Sequence, residues 1–308
     1  MPTNTEPNSS SPASGSTARG YALVLLAASL WATLGVIYHF LARTYGMPPL
    51  AVAGLRAGLG GVILLIGLLA LRRSWLRIDR RAARVVLVYG VVGIAFFYAA
   101  YINAILTVGV AVSAVLLYTA PAWVALLAWR FLGEQLTRTH LIALTLTLAG
   151  SALVAQIYQP GLLRVNALGI LWGLLSGFSY ALWSVFNKVG VRHTNPWTLQ
   201  CYGMLVGSAA LLLFQPLAPL AGALQDPGAA VWLLLLALGP TVGASVAYAA
   251  GVRTVPVSVA SLIATLEPVL AALLAFLVLG ETLGLGQIAG GALILLAVWL
   301  LRPRASRT

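Results

Sequence analysis

Charge is what this sequence has least of. Only 8% of its 308 residues are Asp, Glu, Lys or Arg, against about 25% in a typical soluble domain. With 61% of the residues hydrophobic, the chain cannot cover itself with a wettable surface, and it is read as a membrane protein. A single cysteine, Cys201, excludes an intrachain disulfide, a thiolate metal framework and CxxC redox chemistry. A lone thiol is assigned to packing. Lys188, in "FNKVG", is the only lysine, and no GxxxxGKS/T loop is present, so the chain carries no ATPase of its own. Asp79 and Asp226 are the only aspartates and both fall in loops, which leaves magnesium-dependent prenyl transfer without its acidic cluster. His39, His140 and His193 are widely spaced, without an HExxH or GxSG phrase. The sequence therefore assigns no catalytic residue, no metal and no cofactor. An intramembrane enzyme or lipid-handling protein stands only as the alternative of another class.

What is present is a series of apolar runs. A membrane-spanning helix needs about 20 mainly apolar residues, and ten segments fit: approximately 21–41, 49–71, 84–106, 110–131, 140–157, 166–187, 198–217, 230–251, 255–278 and 284–301. The expected fold class is all-α, with ten transmembrane helices. Residues 1–19 are rich in Ser, Thr, Pro and Asn and are expected to be a disordered tail, with a second short tail at 302–308. With ten spans, both ends share a side. Putting that side in the cytoplasm gathers every basic residue there except Arg43, Arg164 and the intramembrane Arg56. The positive-inside rule thus predicts an inner-membrane protein with both termini cytoplasmic. The net charge of +12 is then an orientation signal that contacts anionic lipid, not a nucleic-acid footprint, which would pair the basic residues with base-stacking aromatics.

The chain also repeats itself. The phrase "YTAPAWVALLAWRFLGE" at 118–134 returns as "TLEPVLAALLAFLVLGE" at 265–281. A shift of 147 sets Tyr101 on Tyr248, Thr107 on Thr254, Pro121 on Pro268 and Glu134 on Glu281, while a shift of 149 sets Gly20 on Gly169 and Trp31 on Tyr180. The first apolar run thus belongs to a repeating unit and is not a removable leader. Each unit holds five expected spans, an odd number, so the second copy enters the membrane inverted, as in many secondary transporters.

These paired "PxxALLAxxxLGE" phrases, the "LEPVLAALLAFLVLGE" version and "LRAGLGGVILL" in the second span resemble the drug/metabolite transporter superfamily, specifically its EamA-type members. The resemblance covers residues 20–301 and implies two inverted five-helix EamA-type repeats, 20–157 and 165–301. Among its members the chain looks most like bacterial amino-acid exporters of the YddG type. It further implies a central pathway surrounded by spans 1, 3, 4, 6, 8 and 9.

Aromatic and polar residues recur at helical spacing on those spans. Trp31 and Tyr38 share a face of the first; Tyr180, Ser184 and Asn187, with Trp183 beside them, mark the sixth. Tyr98 and Tyr101 mark the third, Ser245 and Tyr248 the eighth, Ser261 and Thr265 the ninth. A pocket so lined suits an amphipathic zwitterion or an aromatic cation. Glu267 lies inside a span, where a charge costs about 2.5–3.5 kcal/mol on insertion scales. It either serves substrate or proton, or has a structural role, in which it is neutral or bonded to a neighbouring helix and holds the kinked helix in place. Arg56, about 10 Å inside the second span at 1.5 Å per residue, is expected to snorkel or face lipid, or else to pair with an acid or a carboxylate substrate. Glu134 and Glu281 are expected to cap the helix that follows each. Pro121, Gly239, Pro240 and Pro268 are candidate hinges, and glycine pairs such as Gly54/Gly58 and Gly286/Gly290 are packing devices. Together these features predict a secondary transporter that exports amino acids, aromatic ones included, by alternating access, with efflux of hydrophobic cations as the alternative. Its partners would be that small-molecule substrate, membrane lipids and, in a homodimer, a second copy; nucleic acid is not among them.

Overall fold

The computed structural model describes residues 14–159, 166–213, 215, 225–280 and 282–301. Among these residues the chain is helical throughout, with no strand. The helices are α1 (Ser14–Ala32), α2 (Leu34–Tyr45), α3 (Pro49–Leu71), α4 (Arg80–Val88), α5 (Phe97–Leu117), α6 (Ala120–Leu127), α7 (Arg138–Val154), α8 (Ala167–His193), α9 (Pro196–Leu212), α10 (Pro227–Leu236), α11 (Ala244–Gly251), α12 (Val257–Ala264), α13 (Glu267–Leu279) and α14 (Leu285–Leu300). Six continuous segments are long and apolar enough to cross a membrane: Ser16–Tyr45, Pro49–Leu71, Arg80–Leu117, Ala167–His193, Pro227–Gly251 and Val257–Leu279. Ala120–Leu132, Arg138–Val154 and Leu285–Leu300 are shorter apolar helices. This is a multi-pass membrane architecture.

Several segments are interrupted, and the interruptions match across the repeat. Helix α4 passes into α5 through a wide π-type stretch, Tyr89–Phe96, and α10 passes into α11 through another, Ala237–Gly243. The second holds Gly239 and Pro240; the missing amide of Pro240 is accommodated because the turn is already widened. The backbone leaves helical geometry at Gly109 (φ 83°, ψ 167°), where the sequence divides the third and fourth expected spans. Two further breaks fall at Tyr118–Thr119 and Thr265–Leu266. After each, the helix resumes with proline in its first turn, Pro121 in α6 and Pro268 in α13. A proline there needs no amide hydrogen and has the right φ already. Pro268 therefore restarts a helix and does not strip a bond from the interior of one, as its place within an expected continuous span implied.

Close approach of backbones sets the packing. Helix α1 lies on α11, and α8 lies on α5. In the first pair Gly20 faces Thr254 and Val255, and in the second Gly169 faces Thr107 and Val108. The two contacts are thus equivalent under the two shifts, which set Gly20 on Gly169 and Thr107 on Thr254. Helix α3 packs on α9 and α7 on α14. A β-carbon on Gly54 would stand 2.6 Å from Leu212, and one on Gly150 would stand 2.7 Å from the Gly290 carbonyl. Cys201 is fully buried beside the Gly61 carbonyl, 3.6 Å away, a packing role. Trp75, Trp197 and Trp299 are exposed at segment ends, where an interfacial aromatic belt belongs.

Candidate functional site

A cavity of about 530 Å³ lies among α1, α3, α5, α8, α9 and the two wide stretches, which face each other across it through Tyr89 and Gly93 on one side and Pro240 and Thr241 on the other. Wide turns of this kind re-aim side chains and often mark functional sites. Trp31, Tyr98, Tyr180, Trp183 and Ser245 line this cavity, together with Arg56, Phe97, Gln200 and Met204, which the aromatic periodicity did not single out.

The aromatic wall is cooperative. Trp183 has its ring centroid 5.6 Å from Trp31, 5.4 Å from Tyr180 and 4.9 Å from Tyr248. Tilted and edge-on contacts at such distances set the positive rim of one ring toward the negative face of another. Tyr248 is wholly buried behind the wall and donates its hydroxyl to Ser184 Oγ at 3.1 Å. Asn187 is equally buried: its amide donates to the Trp183 carbonyl at 3.0 Å, and its carbonyl accepts from Gln200 Nε2 at 2.8 Å. Gln200 Oε1 in turn accepts from the Tyr89 hydroxyl at 2.7 Å. Ser184, Asn187 and Tyr248 thus support the wall from behind and do not line it. Tyr101 stacks on Phe97, with centroids 6.1 Å apart, outside the cavity lining. Tyr38 sits beside the Arg56 guanidinium.

Arg56 is only 4% exposed. Its Nη1 donates to Thr241 Oγ1 at 3.0 Å, and its guanidinium lies 4.6 Å from the centroid of the Tyr98 ring. The expectation that it snorkels or faces lipid is therefore overturned: the helix turns this residue toward Thr241 and the cavity. The available signal was the presence of one deep arginine in an apolar span, and a single sequence cannot say which way such a residue points.

A second cavity of about 290 Å³ adjoins the first at Tyr180 and is lined by Tyr118, Pro121, Ser261, Thr265 and Glu267. Glu267 occupies the first turn of α13, where the helix dipole favours a negative charge. Its carboxylate has no hydrogen-bond partner among the described residues, so the bond to a neighbouring helix, one form of its expected structural role, is not formed. Tyr118 also borders a broad vestibule of about 1470 Å³ between α2, α5, α7 and α13, which includes His39, Val110, Gln156, Pro268 and Gln287. Tyr118 is thus shared by the linings of the vestibule and the second cavity, and Tyr180 by those of the second and first cavities.

The opposite end is fastened. Glu134 Oε1 accepts from Val257 N at 2.8 Å, while Oε2 accepts from Ser258 N at 3.1 Å and Ser258 Oγ at 2.6 Å. This carboxylate caps α12, far away in sequence, and not the helix that follows it, as expected. Helix α7 is capped by its own Thr137, whose hydroxyl accepts from His140 N at 3.3 Å while His140 Nδ1 accepts from Thr137 N at 3.2 Å. Glu281 lies outside the described residues. Lys188 adds a second fastening, donating to the Val252 carbonyl and, at 3.0 Å, to that of Val255, where a cation complements the free carbonyls of a helix end. No group of three or more His, Cys, Asp or Glu able to hold a metal occurs among the described residues.

Known proteins resemble this chain along most of its length. An uncharacterized transporter of Archaeoglobus fulgidus is 35% identical over 91% of this chain and 94% of its own. The uncharacterized inner membrane transporter YicL of Salmonella typhimurium is 25% identical over 93% and 96%, and the uncharacterized transporter YwfM of Bacillus subtilis 26% identical over 92% and 95%. A crystal structure of a protein 20% identical superposes with a TM-score of 0.77, covering 93% of this chain and 96% of that one, a likeness of fold. The pattern of the EamA-like transporter family matches twice, over residues 18–156 and 167–302, and the chain belongs to that family.

Proposed function

We propose that this transporter exports amino acids, aromatic ones included, across a bacterial inner membrane by alternating access between two inverted five-helix halves. The observation that carries the reading is the row of cavities: an aromatic wall with a few polar groups, neighbouring cavities that share Tyr180 and Tyr118 and end in a vestibule, and a fastened end opposite. A transport site exposed to one side at a time requires this asymmetry.

The ten-span, inverted arrangement is supported by the two family matches and by the paired contacts Gly20–Thr254 and Gly169–Thr107. Arg130 and Arg138 flank Glu134, Arg192 follows Lys188 and Arg253 precedes Val257, so the positive-inside rule supports a cytoplasmic position for the fastened end and both termini. On this reading the vestibule opens outward. Trp31, Tyr98, Tyr180, Trp183 and Ser245 then contact substrate; Ser261, Thr265 and Glu267 line its route; and Pro121, Gly239, Pro240 and Pro268, each at a helix break or wide turn, serve as hinges. Glu267, unbonded in its cavity, also supports a second reading, efflux of hydrophobic cations that it would neutralise.

Uptake into proteoliposomes, with and without a pH gradient, tests both readings. Saturable flux of labelled tryptophan and threonine supports amino-acid export, and loss of that flux in Glu267→Gln would make this acid part of transport. Flux of a methylated bipyridinium alone replaces the first reading with the second. No flux of any of the three refutes both.

A further inference from the structure

We infer that Arg56 is the anchor for a substrate carboxylate, so that the transported class is acids and zwitterions with an apolar body and excludes permanent cations. This inference rests on the transport reading above and specifies its chemistry.

Arg56 is a charge without a bonded counter-charge among the described residues. It is nine-tenths buried and lines the first cavity, yet among the described residues it makes no ion pair, and its Nε has no hydrogen-bond partner. An arginine stays ionised in proteins and carries five donors. A buried cation of this kind is ordinarily balanced by an acid or held where a ligand will balance it. The groups in contact with it are uncharged and cannot do so: Thr241 accepts one bond at 3.0 Å, the Tyr38 hydroxyl lies beside the guanidinium, and the Tyr98 ring at 4.6 Å offers only a quadrupole. Glu267 lines the next cavity, separated by Tyr180.

A carboxylate fits what is missing. The flat guanidinium fork donates to two carboxylate oxygens at once, a geometry that an ammonium or a neutral amide does not reproduce. Trp31, Trp183 and Met204 line the same cavity and provide apolar surface for the rest of such a molecule. Beyond Tyr180, Glu267 provides the opposite charge toward an ammonium group, so the two cavities are polarised as a zwitterion is. A permanent cation entering the first cavity would meet Arg56 as a like charge.

Calorimetric titration of the full chain in lipid nanodiscs tests this with four probes: phenylalanine, tryptophan, phenylalaninamide and 3-phenylpropanoate. The amide lacks the carboxylate charge and 3-phenylpropanoate lacks the ammonium. Expected is binding of the three carboxylates, with the amide weaker by roughly tenfold to a hundredfold, as loss of a charge-assisted pair implies. Arg56→Gln should lower phenylalanine to the level of the amide and leave the amide unchanged. The comparison of ligands on the wild-type chain stands even if that variant fails to fold. Equal affinity for phenylalanine and its amide overturns the inference and leaves amino-acid export intact. Binding of 3-phenylpropanoate but of neither amino acid upholds the carboxylate anchor and overturns amino-acid export. Binding of none of the four overturns both.

Discussion

The bonds of Glu134 to α12 make a quantitative prediction about which end of the protein opens. Glu134→Gln keeps the size of the side chain but removes the charge and replaces one acceptor oxygen with an amide that donates. Three bonds are affected, from Val257 N, Ser258 N and Ser258 Oγ, at 2.8, 3.1 and 2.6 Å. Bonds to a charged group are worth about 1.5–3 kcal/mol each and neutral ones about 0.5–1.5 kcal/mol, and the site is half-buried, so the low end of the range applies. Loss of the bond from Val257 N, at about 1.5 kcal/mol, and slight weakening of the two from Ser258 come to about 2 kcal/mol, or roughly a thirtyfold shift in a two-state ratio. The shift favours the form open at the Glu134 end, because these bonds join segments that must separate there. The assay is maleimide labelling of Ser261→Cys, a position in the second cavity, in a Cys201→Ala background, from the cytoplasmic face of inside-out vesicles. The labelling rate should rise about thirtyfold when Glu134→Gln is added. A change of less than about twofold, too small for the loss of even one such bond, would refute the claim that this carboxylate holds that end shut.

Other predictions follow from single contacts. Tyr89→Phe leaves Gln200 Oε1 without its donor in a buried network, and should lower stability by about 1–3 kcal/mol, read as a fall in the unfolding temperature; an unchanged midpoint would show that the network rearranges freely. Gly150→Leu forces a side chain against the Gly290 carbonyl and Ile294, and should sharply reduce the yield of folded protein in size-exclusion chromatography, whereas normal yield would mean that α7 and α14 can move apart at little cost. Thr137→Ala removes the cap of α7, a loss of about 1 kcal/mol that thermal unfolding in nanodiscs should detect; no loss would mean that water replaces the cap. Lys188→Met removes the bonds to the Val252 and Val255 carbonyls and should raise Ser261→Cys labelling in the same direction as Glu134→Gln; a fall would contradict its role as a fastening.

Membrane character, the repeat and family resemblance were legible in the sequence because they depend on composition and on residue order, which survive without coordinates. The break at Gly109 was legible for the same reason, whereas Pro268 was read as a kink within one span and instead restarts a helix. What a residue faces was not. Helical spacing marked Ser184, Asn187 and Tyr248 correctly as polar positions on one side, but the same spacing serves a lining residue and one that props the lining from behind. Arg56 was visible as a deep charge, and only its neighbours Thr241 and Tyr98 reveal that it turns inward. Glu134 was recognised as a cap, yet assigned to the wrong helix: a chain folded from two related halves satisfies helix ends across the halves, and local sequence suggests only local partners. Of the two wide stretches, the one containing Gly239-Pro240 was signalled by those residues. Its counterpart at Tyr89–Phe96 carries no proline, and its geometry comes from the packing of Gly90 on Val206 and Gly93 on Trp183.

Solute counterflow tests the central claim most directly. Proteoliposomes loaded with unlabelled tryptophan are diluted into a trace of labelled tryptophan, so that only a carrier whose site is exposed to one side at a time can draw label inward against its final distribution. The account predicts a transient, saturable overshoot of internal label that is lost when Trp183, at the centre of the aromatic wall, is changed to alanine. A monotonic, non-saturable approach to equilibrium would indicate a channel or leak, and equal overshoot in Trp183→Ala would show that this cavity is not where substrate is carried.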